Sequence, residues 1–320
     1  MRAREMKLLL ATLGQLTANQ RDLVLSALSV DTKADEWAQV VQSGLAGHTP
    51  SCPKCQAVHV VRNGQAHGLQ RYKCRSCTVT FNALTGTPLA RLRYRELWLA
   101  QGQALIEGLS VRKVARQLGV HTSTAFRWRH RFLALPRESR ADSVGGIVEV
   151  DETYVLRSCK GQRKRLREGQ RAPRRRGGKA STRGMPHEHV PIVVVRDRSA
   201  QTVDYVLDVA NKFNVTELLR GKIAPDAVMC TDGSELMATV AKRLGLQHEA
   251  LNLVAGKRVR GPWHIQNVNA YHARLKQWLR RFNGVATSYL ANYTGWFRAL
   301  DANSKGGLKP DRLLAMAVGA

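Results

Sequence analysis

Four of the six cysteines stand as Cys52-Pro-Lys-Cys55 and Cys74-Arg-Ser-Cys77, two C-x2-C knuckles with 18 residues between them. Tetrahedral Zn²⁺ takes four thiolates, and two knuckles at this separation deliver them, whereas a disulfide ladder has no use for such tight pairs. The spacing therefore predicts a small zinc ribbon closed around Cys52, Cys55, Cys74 and Cys77. A site already filled by four sulfurs is structural and leaves His59 and His67, which lie between the knuckles, without a place in it. Tyr72 before the second knuckle and Phe81 after it are expected to pack beside the metal. Four reduced cysteines in an ordinary core are the alternative. Thiols kept for a metal also agree with a reducing, cytoplasmic location.

The rest of the composition narrows the partner. In 320 residues, 51 Lys+Arg stand against 24 Asp+Glu, a formal charge of +27, while 43% of residues are hydrophobic. That much apolar content makes a folded core and not a basic disordered tail. No apolar run reaches the roughly 18 to 20 residues of a membrane span. Self-repulsion on this scale is relieved by a polyanion, and nucleic acid is the natural one, because Lys and Arg gain affinity by displacing counterions from phosphates. The apolar stretch at residues 6–11 is short, is followed by Gln15, Asn19 and Gln20, and is expected to be no targeting signal. Residues 4–16 and 17–29 read as a helical hairpin, the second helix opened by a capping box from Thr17 to Gln20.

Residues 109–128 carry a helix-turn-helix register. Ser110 caps a first helix, Val111, Val114, Ala115 and Leu118 face inward, and Gly119 makes the turn. Val120 packs, Thr122 caps a second helix, and Ala125, Phe126 and Trp128 give its apolar contacts. A small residue four positions before the turn glycine lets the two helices cross closely. Arg127, Arg129, His130 and Arg131 decorate the second helix, which would lie in a major groove, with Arg127, Arg129 and Arg131 as DNA contacts. A plain helical hairpin is the competing reading.

Beyond residue 145 short β-type runs appear at 147–155, 190–195, 202–207 and 227–231, with helical segments at 216–220, 234–244 and 263–282. Strands followed by mixed strand and helix argue for an α/β domain. Two of the runs contain acids: Ile147-Val-Glu-Val-Asp151-Glu152-Thr-Tyr154, and Ala227-Val-Met-Cys-Thr-Asp232-Gly233. Taken singly, Asp232-Gly233 is a common turn, and Glu149 and Glu152 read as solvent-facing carboxylates. Taken together, carboxylates inside apolar strands are costly unless they coordinate something, and two Asp on neighbouring strands can bridge divalent ions that clamp a phosphoryl group. A long helix follows, His264-Ile-Gln-Asn-Val-Asn269-Ala-Tyr-His272-Ala-Arg-Leu-Lys276. Val268, Tyr271, Leu275 and Phe282 form its apolar stripe, and Asn269, His272 and Lys276 share a face beside it. Asn269 can ligate Mg²⁺ through its carbonyl, Lys276 can meet a phosphate, and His272 can ligate metal or handle a proton. A solvated polar face is the bland alternative. Residues 157–183 hold twelve Lys/Arg and a single acid, Glu168, and read as a cationic arm that grips DNA beside Asp151, Arg174, Arg175 and Arg176 among its contacts.

Zinc ribbon, helix-turn-helix, VDETY, TDG and HIQNVNAYHARLK, in that order, resemble the bacterial insertion-sequence transposases of the DDE type. The likeness is to the branch with an N-terminal zinc ribbon and an Asn or His in place of the third acid, and it spans residues 50 to 300. It implies an α/β, RNase H-like catalytic domain preceded by the zinc ribbon and an all-α helix-turn-helix domain, with Asp151 on the first strand and Asp232 on the fourth. Asn269 then matches the third position, 37 residues after Asp232, and leaves the site one negative charge short unless His272 or Glu152 contributes. The implied division is a helical segment 1–48, a ribbon 49–87, a helix-turn-helix domain 88–140 and a catalytic domain 141–305 carrying the insertion 157–183. The implied chemistry is binding of terminal inverted repeats, hydrolysis at the element end and joining of the 3′-hydroxyl to target DNA. Mg²⁺ or Mn²⁺ is the implied catalytic cofactor, double-stranded DNA the partner, and a homo-oligomer the expected assembly. A non-catalytic DNA-binding regulator derived from such an enzyme, and an RNase H-like nuclease that cuts without joining, are the alternatives.

Overall fold

The computed structural model describes residues 7, 11–43, 50–161, 188–251 and 259–319. They fall into two compact units, Met1–Trp128 with Lys309–Ala320, and Arg129–Leu308.

The first unit opens with helix α1 (Ala18–Ser43). Its start is the expected capping box: the Thr17 N–H donates to Gln20 Oε1 at 2.9 Å, and the Gln20 N–H to Thr17 Oγ1 at 3.4 Å. The helix does not stop near residue 29. It runs on because Trp37, Ala38 and Val41 are buried, Trp37 standing edge-on to Trp98 at 5.5 Å. The preceding helix read at 4–16 lies partly outside the described residues. Three antiparallel strands follow, β1 (Val60–Ala66), β2 (Leu69–Cys74) and β3 (Thr80–Asn82). The two-residue turn between β1 and β2, His67-Gly68, has φ of +52° and +74°, the paired left-handed conformation that suits the twist of a tight hairpin.

The helix-turn-helix consists of α2 (Trp98–Ile106), α3 (Val111–Gln117) and α4 (Thr122–Phe132). Ser110 caps α3 by accepting from the Lys113 N–H, Gly119 turns with φ +63°, and Ala104, Val114, Ala115 and Ala125 form the core. His121, not Thr122, stands ahead of α4, its Nδ1 accepting from the Ser123 N–H at 3.3 Å. The chain returns to this unit in helix α10 (Pro310–Val318), which packs on α1 and α2. Its Pro310 carbonyl would lie 3.1 Å from a Cβ at Gly102.

The second unit begins with a short helix, α5 (Ala134–Glu138). Among the described residues its sheet has five strands in the order β6-β5-β4-β7-β8. These are β4 (Ile147–Leu156), β5 (His189–Asp197), β6 (Thr202–Val206), β7 (Val228–Thr231) and β8 (Gln247–Ala250). β4, β5 and β6 pair antiparallel, while β4–β7 and β7–β8 pair parallel. The fold is α/β and RNase H-like, with the acidic residues on or just after the central neighbours β4 and β7. Helices α6 (Lys212–Leu219) and α7 (Glu235–Leu244) cover one face. Val148, Val150, Val193, Val195, Met229, Met237 and Val240 make that core. On the other face α8 (Gln266–Arg280) crosses β4 and β5, and α9 (Leu290–Ala302) packs on β6. β5 is therefore buried on both sides and reads as a continuous apolar run.

Three features depart from the sequence reading. β8 is a polar edge strand, Gln-His-Glu-Ala, with no alternation to betray it. Trp263–His264 is not the start of a helix but pairs with Val259–Arg260 as hairpin β9–β10. Residues 157–161, the start of the stretch that reads as a cationic arm, are held against the second unit. Arg157 pairs with Asp208 at 3.3 Å, and the Lys160 ammonium donates to the carbonyls of Phe282, Asn283 and Gly284 just beyond α8, the last at 2.8 Å. The remainder of the arm, with Arg174, Arg175 and Arg176, lies outside the described residues.

Candidate active site

Period-two alternation along β4 sends Val148 and Val150 into the core under α6 and α7, and Glu149 and Asp151 to the face crossed by α8. Asp151 is half-buried; its Oδ1 accepts the Glu152 N–H at 2.9 Å. Asp232 leaves the end of the neighbouring parallel strand β7. Its Oδ1 accepts the Ser234 N–H at 2.9 Å, and Ser234 in turn caps α7. Gly233 makes the intervening turn at φ +81°, a conformation that favours glycine. Burial, then the charges of Glu152 and of Asp232, push the Asp151 carboxyl up to about 7, against a smaller downward pull from Lys276. Glu152 is raised by burial and by Asp232, and its Oε2 is enclosed without a hydrogen-bond partner. The three acids thus form one electrostatic group.

Helix α8 supplies the opposite wall. His272 is 6% exposed, with Nδ1 3.5 Å from Asp151 Oδ2. Burial first, and the Lys276 charge second, hold it down at about 4, so its imidazole is neutral at physiological pH. Lys276 is exposed, one turn further along the same face. Asn269 is exposed, one turn before His272. The geometry therefore brings Asp151, Asp232, Glu152, His272 and Lys276 together, while no hydrogen bond or ion pair ties the exposed Asn269 side chain to them.

Glu149, for which the sequence taken singly leaves a solvent-facing place open, is fully buried. Its Oε2 accepts the Val268 N–H at 2.8 Å and its Oε1 the Asn267 amide at 3.0 Å. Arg198 pairs with the same carboxylate, and His264 Nδ1 lies 3.3 Å from it. The signal was present in the spacing: two residues before Asp151 on a strand is the same face.

In the first unit the four cysteine sulfurs lie within 4.8 Å of one another, with Cys52–Cys77 at 3.5 Å and Cys55–Cys74 at 3.6 Å. A tetrahedron with Zn–S of about 2.3 Å has edges of about 3.8 Å, so the cluster fits a structural Zn²⁺. The Cys77 N–H donates to Cys74 Sγ at 3.4 Å, an arrangement that favours thiolate. Tyr72 and Phe81 stack beside the knuckles at 5.7 Å, as their positions imply.

Comparison with known families agrees with this layout. The ISXO2-like transposase domain matches residues 143–298, a homeodomain-like domain residues 90–141, and the InsA N-terminal domain residues 45–78. The chain is 28% identical over 253 residues to a Halobacterium salinarum protein named "Uncharacterized protein in transposable element ISH50", covering 77% of this chain and 83% of the relative. A pre-cleavage Mos1 transpososome shows 12% identity over 66% of this chain and 79% of that one, at a TM-score of 0.23. A Mos1 mariner paired-end complex with Mn shows 13% identity over 65% and 78%, also at a TM-score of 0.23. No helix among the described residues is long and apolar enough to cross a membrane.

One DNA-contact assignment made from the sequence needs correction. Arg129 is 2% exposed, its guanidinium 5.3 Å from the Trp296 ring and 5.7 Å from the Phe282 ring, and it donates to the Tyr293 hydroxyl at 3.3 Å. It is a core residue of the second unit. His130 likewise stacks on Tyr289 at 3.8 Å. Arg127 and Arg131 are exposed.

Proposed function

We propose that this transposase binds the terminal inverted repeats of an insertion sequence, hydrolyses the strand at the element end and joins the freed 3′-hydroxyl to target DNA. The observation that carries this reading is the gathering of Asp151, Glu152 and Asp232 at the neighbouring parallel strands β4 and β7, where burial first, and then the charges of Glu152 and Asp232, push the Asp151 carboxyl up to about 7. Half-buried carboxylates that also repel each other suit divalent cations, which offset both the lost hydration and the repulsion. Asp151 and Asp232 would hold Mg²⁺ or Mn²⁺, with Asn269 as a neutral third ligand. When bound, such ions make water more acidic and offset charge on the phosphoryl oxygens.

The chain's own residues orient the substrate. The Lys276 ammonium, exposed on α8, meets a phosphate oxygen. Neutral His272 keeps Nδ1 toward Asp151 and holds a proton there or passes one. In the first reaction a water oxygen bonds to phosphorus and the P–O3′ bond of the element strand breaks, leaving a 3′-hydroxyl on the element and a 5′-phosphate on the flank. The water proton passes to a neighbouring base, and the departing oxygen takes one from solvent. In the second reaction that 3′-hydroxyl oxygen bonds to a target phosphorus as a target P–O3′ bond breaks, so the number of phosphodiesters is unchanged. The ribbon and the exposed Arg127 and Arg131 of α4 recognise the ends, residues 162–183 hold the backbone, and a homo-oligomer brings two ends together.

The test is an oligonucleotide carrying the element end, incubated with Mg²⁺ or Mn²⁺ and either the wild type or Asp151→Asn. Joined product that vanishes in the variant is expected. Cutting without joining would identify a nuclease, and binding without metal-dependent chemistry a DNA-binding regulator.

A further inference from the structure

Two residues along a strand advance about 6.6 Å, and four residues along a helix about 6 Å. β4 and α8 use that near-equality. Glu149 meets the Val268 N–H at 2.8 Å; two strand residues later, and one helical turn later, Asp151 Oδ2 lies 3.5 Å from His272 Nδ1. The pair Glu149–Val268 thus sets the register in which His272, and then Lys276, face Asp151.

The carboxylate is placed for that task. It sits against the first turn of α8, where unpaired N–H groups and the helix dipole favour an anion. Its second oxygen is occupied by the Asn267 amide and by Arg198, which also donates to the Pro262 carbonyl at 2.8 Å, in the hairpin leading into the helix. The two hydrogen bonds from Asn267 and Val268 therefore hold the first turn of α8, while Arg198 ties the carboxylate to the hairpin that leads into it. A slip of one residue along α8 would turn its face by about 100° and shift it about 1.5 Å, removing His272 and Lys276 from Asp151.

We propose that Glu149 is a positioning residue for the transposition chemistry: its buried carboxylate sets the register of α8 on β4 and so the placement of His272 and Lys276 opposite Asp151. This rests on the reading of the site as a strand-transfer centre. A misplacement near 1 Å at a reacting group costs on the order of 100-fold in rate, so Glu149→Gln is expected to slow strand cleavage at saturating DNA and Mg²⁺ by about 10- to 100-fold.

A positioning role and a merely structural one separate in a double-mutant cycle with Lys276→Ala. If Glu149 acts by placing Lys276, removing Lys276 costs much less in the Glu149→Gln background than in the wild type, because residues acting through one arrangement are not additive. Mn²⁺ binding followed by calorimetry should be retained in Glu149→Gln and lost in Asp151→Asn. Rate losses that multiply, or Mn²⁺ binding lost in Glu149→Gln as in Asp151→Asn, overturn the proposal. If Glu149→Gln does not fold, Asn267→Ala, which removes one donor to the carboxylate and leaves no charge unpaired, carries the same cycle with the same two outcomes. A wild type with no metal-dependent cutting or joining would instead sink the strand-transfer reading itself.

Discussion

Gly295, in the middle of α9, has no room for a side chain. A Cβ there would lie 2.5 Å from Arg137 Cα and 2.9 Å from the Pro136 carbonyl oxygen, backbone atoms that cannot swing aside. One turn on, Arg298 donates to the carbonyls of Pro136 and Arg137, each at 3.0 Å, and pairs with the fully buried Asp204. Gly295→Ala must push the 136–139 segment off α9 and loosen those bonds. A loss of about 1 to 3 kcal/mol is expected, read as a lower urea midpoint at unchanged slope; an unshifted midpoint would show that the segment gives way freely. At this scale sequence exposes residues that conflict with their surroundings. Asp151 and Asp232 stand out because acids are rare in apolar strands, and the cysteines because of their spacing. Arg129 does not, since the rings of Phe282 and Trp296 that bury it lie some 150 residues later, and no local pattern distinguishes it from Arg127. Glu149 is an intermediate case: alternation assigns its face, but only α8 lying on that face makes it buried.

At the scale of elements, strong local signals carry through and weak ones do not. The Thr17–Gln20 capping box, the Ser110 cap and the Gly119 turn all form as their residues dictate. The length of α1 was not legible, because what prolongs it is burial of Trp37 and Val41 and not propensity. β8 and helix α9 escape for related reasons: a polar edge strand has no period, and a helix buried on nearly all sides, such as α9, has no polar face to set against an apolar one. The ribbon is the element most dependent on a group outside the chain. Its three strands are short, and Cys52, Cys74 and Phe81 are the buried members of its small core, so zinc supplies much of its folding free energy. The purified protein should carry one equivalent of zinc at the Cys52, Cys55, Cys74 and Cys77 cluster. Its removal by a chelator with a thiol-blocking mercurial should abolish end-specific DNA binding and leave the melting of an Arg129–Leu308 transition in place. Full end-binding by zinc-free protein would contradict a structural role for the metal.

For the whole molecule, the charge of +27 matters through how it is distributed. Part of it is spent internally: Arg129, Arg196 and Arg298 are buried, Arg198 closes on Glu149, and Lys160 holds the carbonyls beyond α8. Such cations hold the fold, and the three buried arginines are out of reach of DNA phosphates. Residues 162–187 carry ten Lys/Arg, which makes them the densest positive segment of the chain and the best candidate for phosphate contacts. Each phosphate contact adds about 0.9 to the slope of log K against log salt concentration. Replacing Arg174, Arg175 and Arg176 together by Ser should therefore lower that slope by about 2 to 3. Because phosphate contacts position without reading sequence, the variant should lose affinity for element ends and for unrelated duplex by the same factor. Arg127→Ser, on the exposed side of α4, should behave differently, losing affinity for ends while its binding to unrelated duplex changes little. Filter-binding titrations at several salt concentrations on both duplexes measure all four quantities. An unchanged salt slope in the triple-Ser variant would mean that the basic segment stays off the DNA and that its charge serves the protein in some other way.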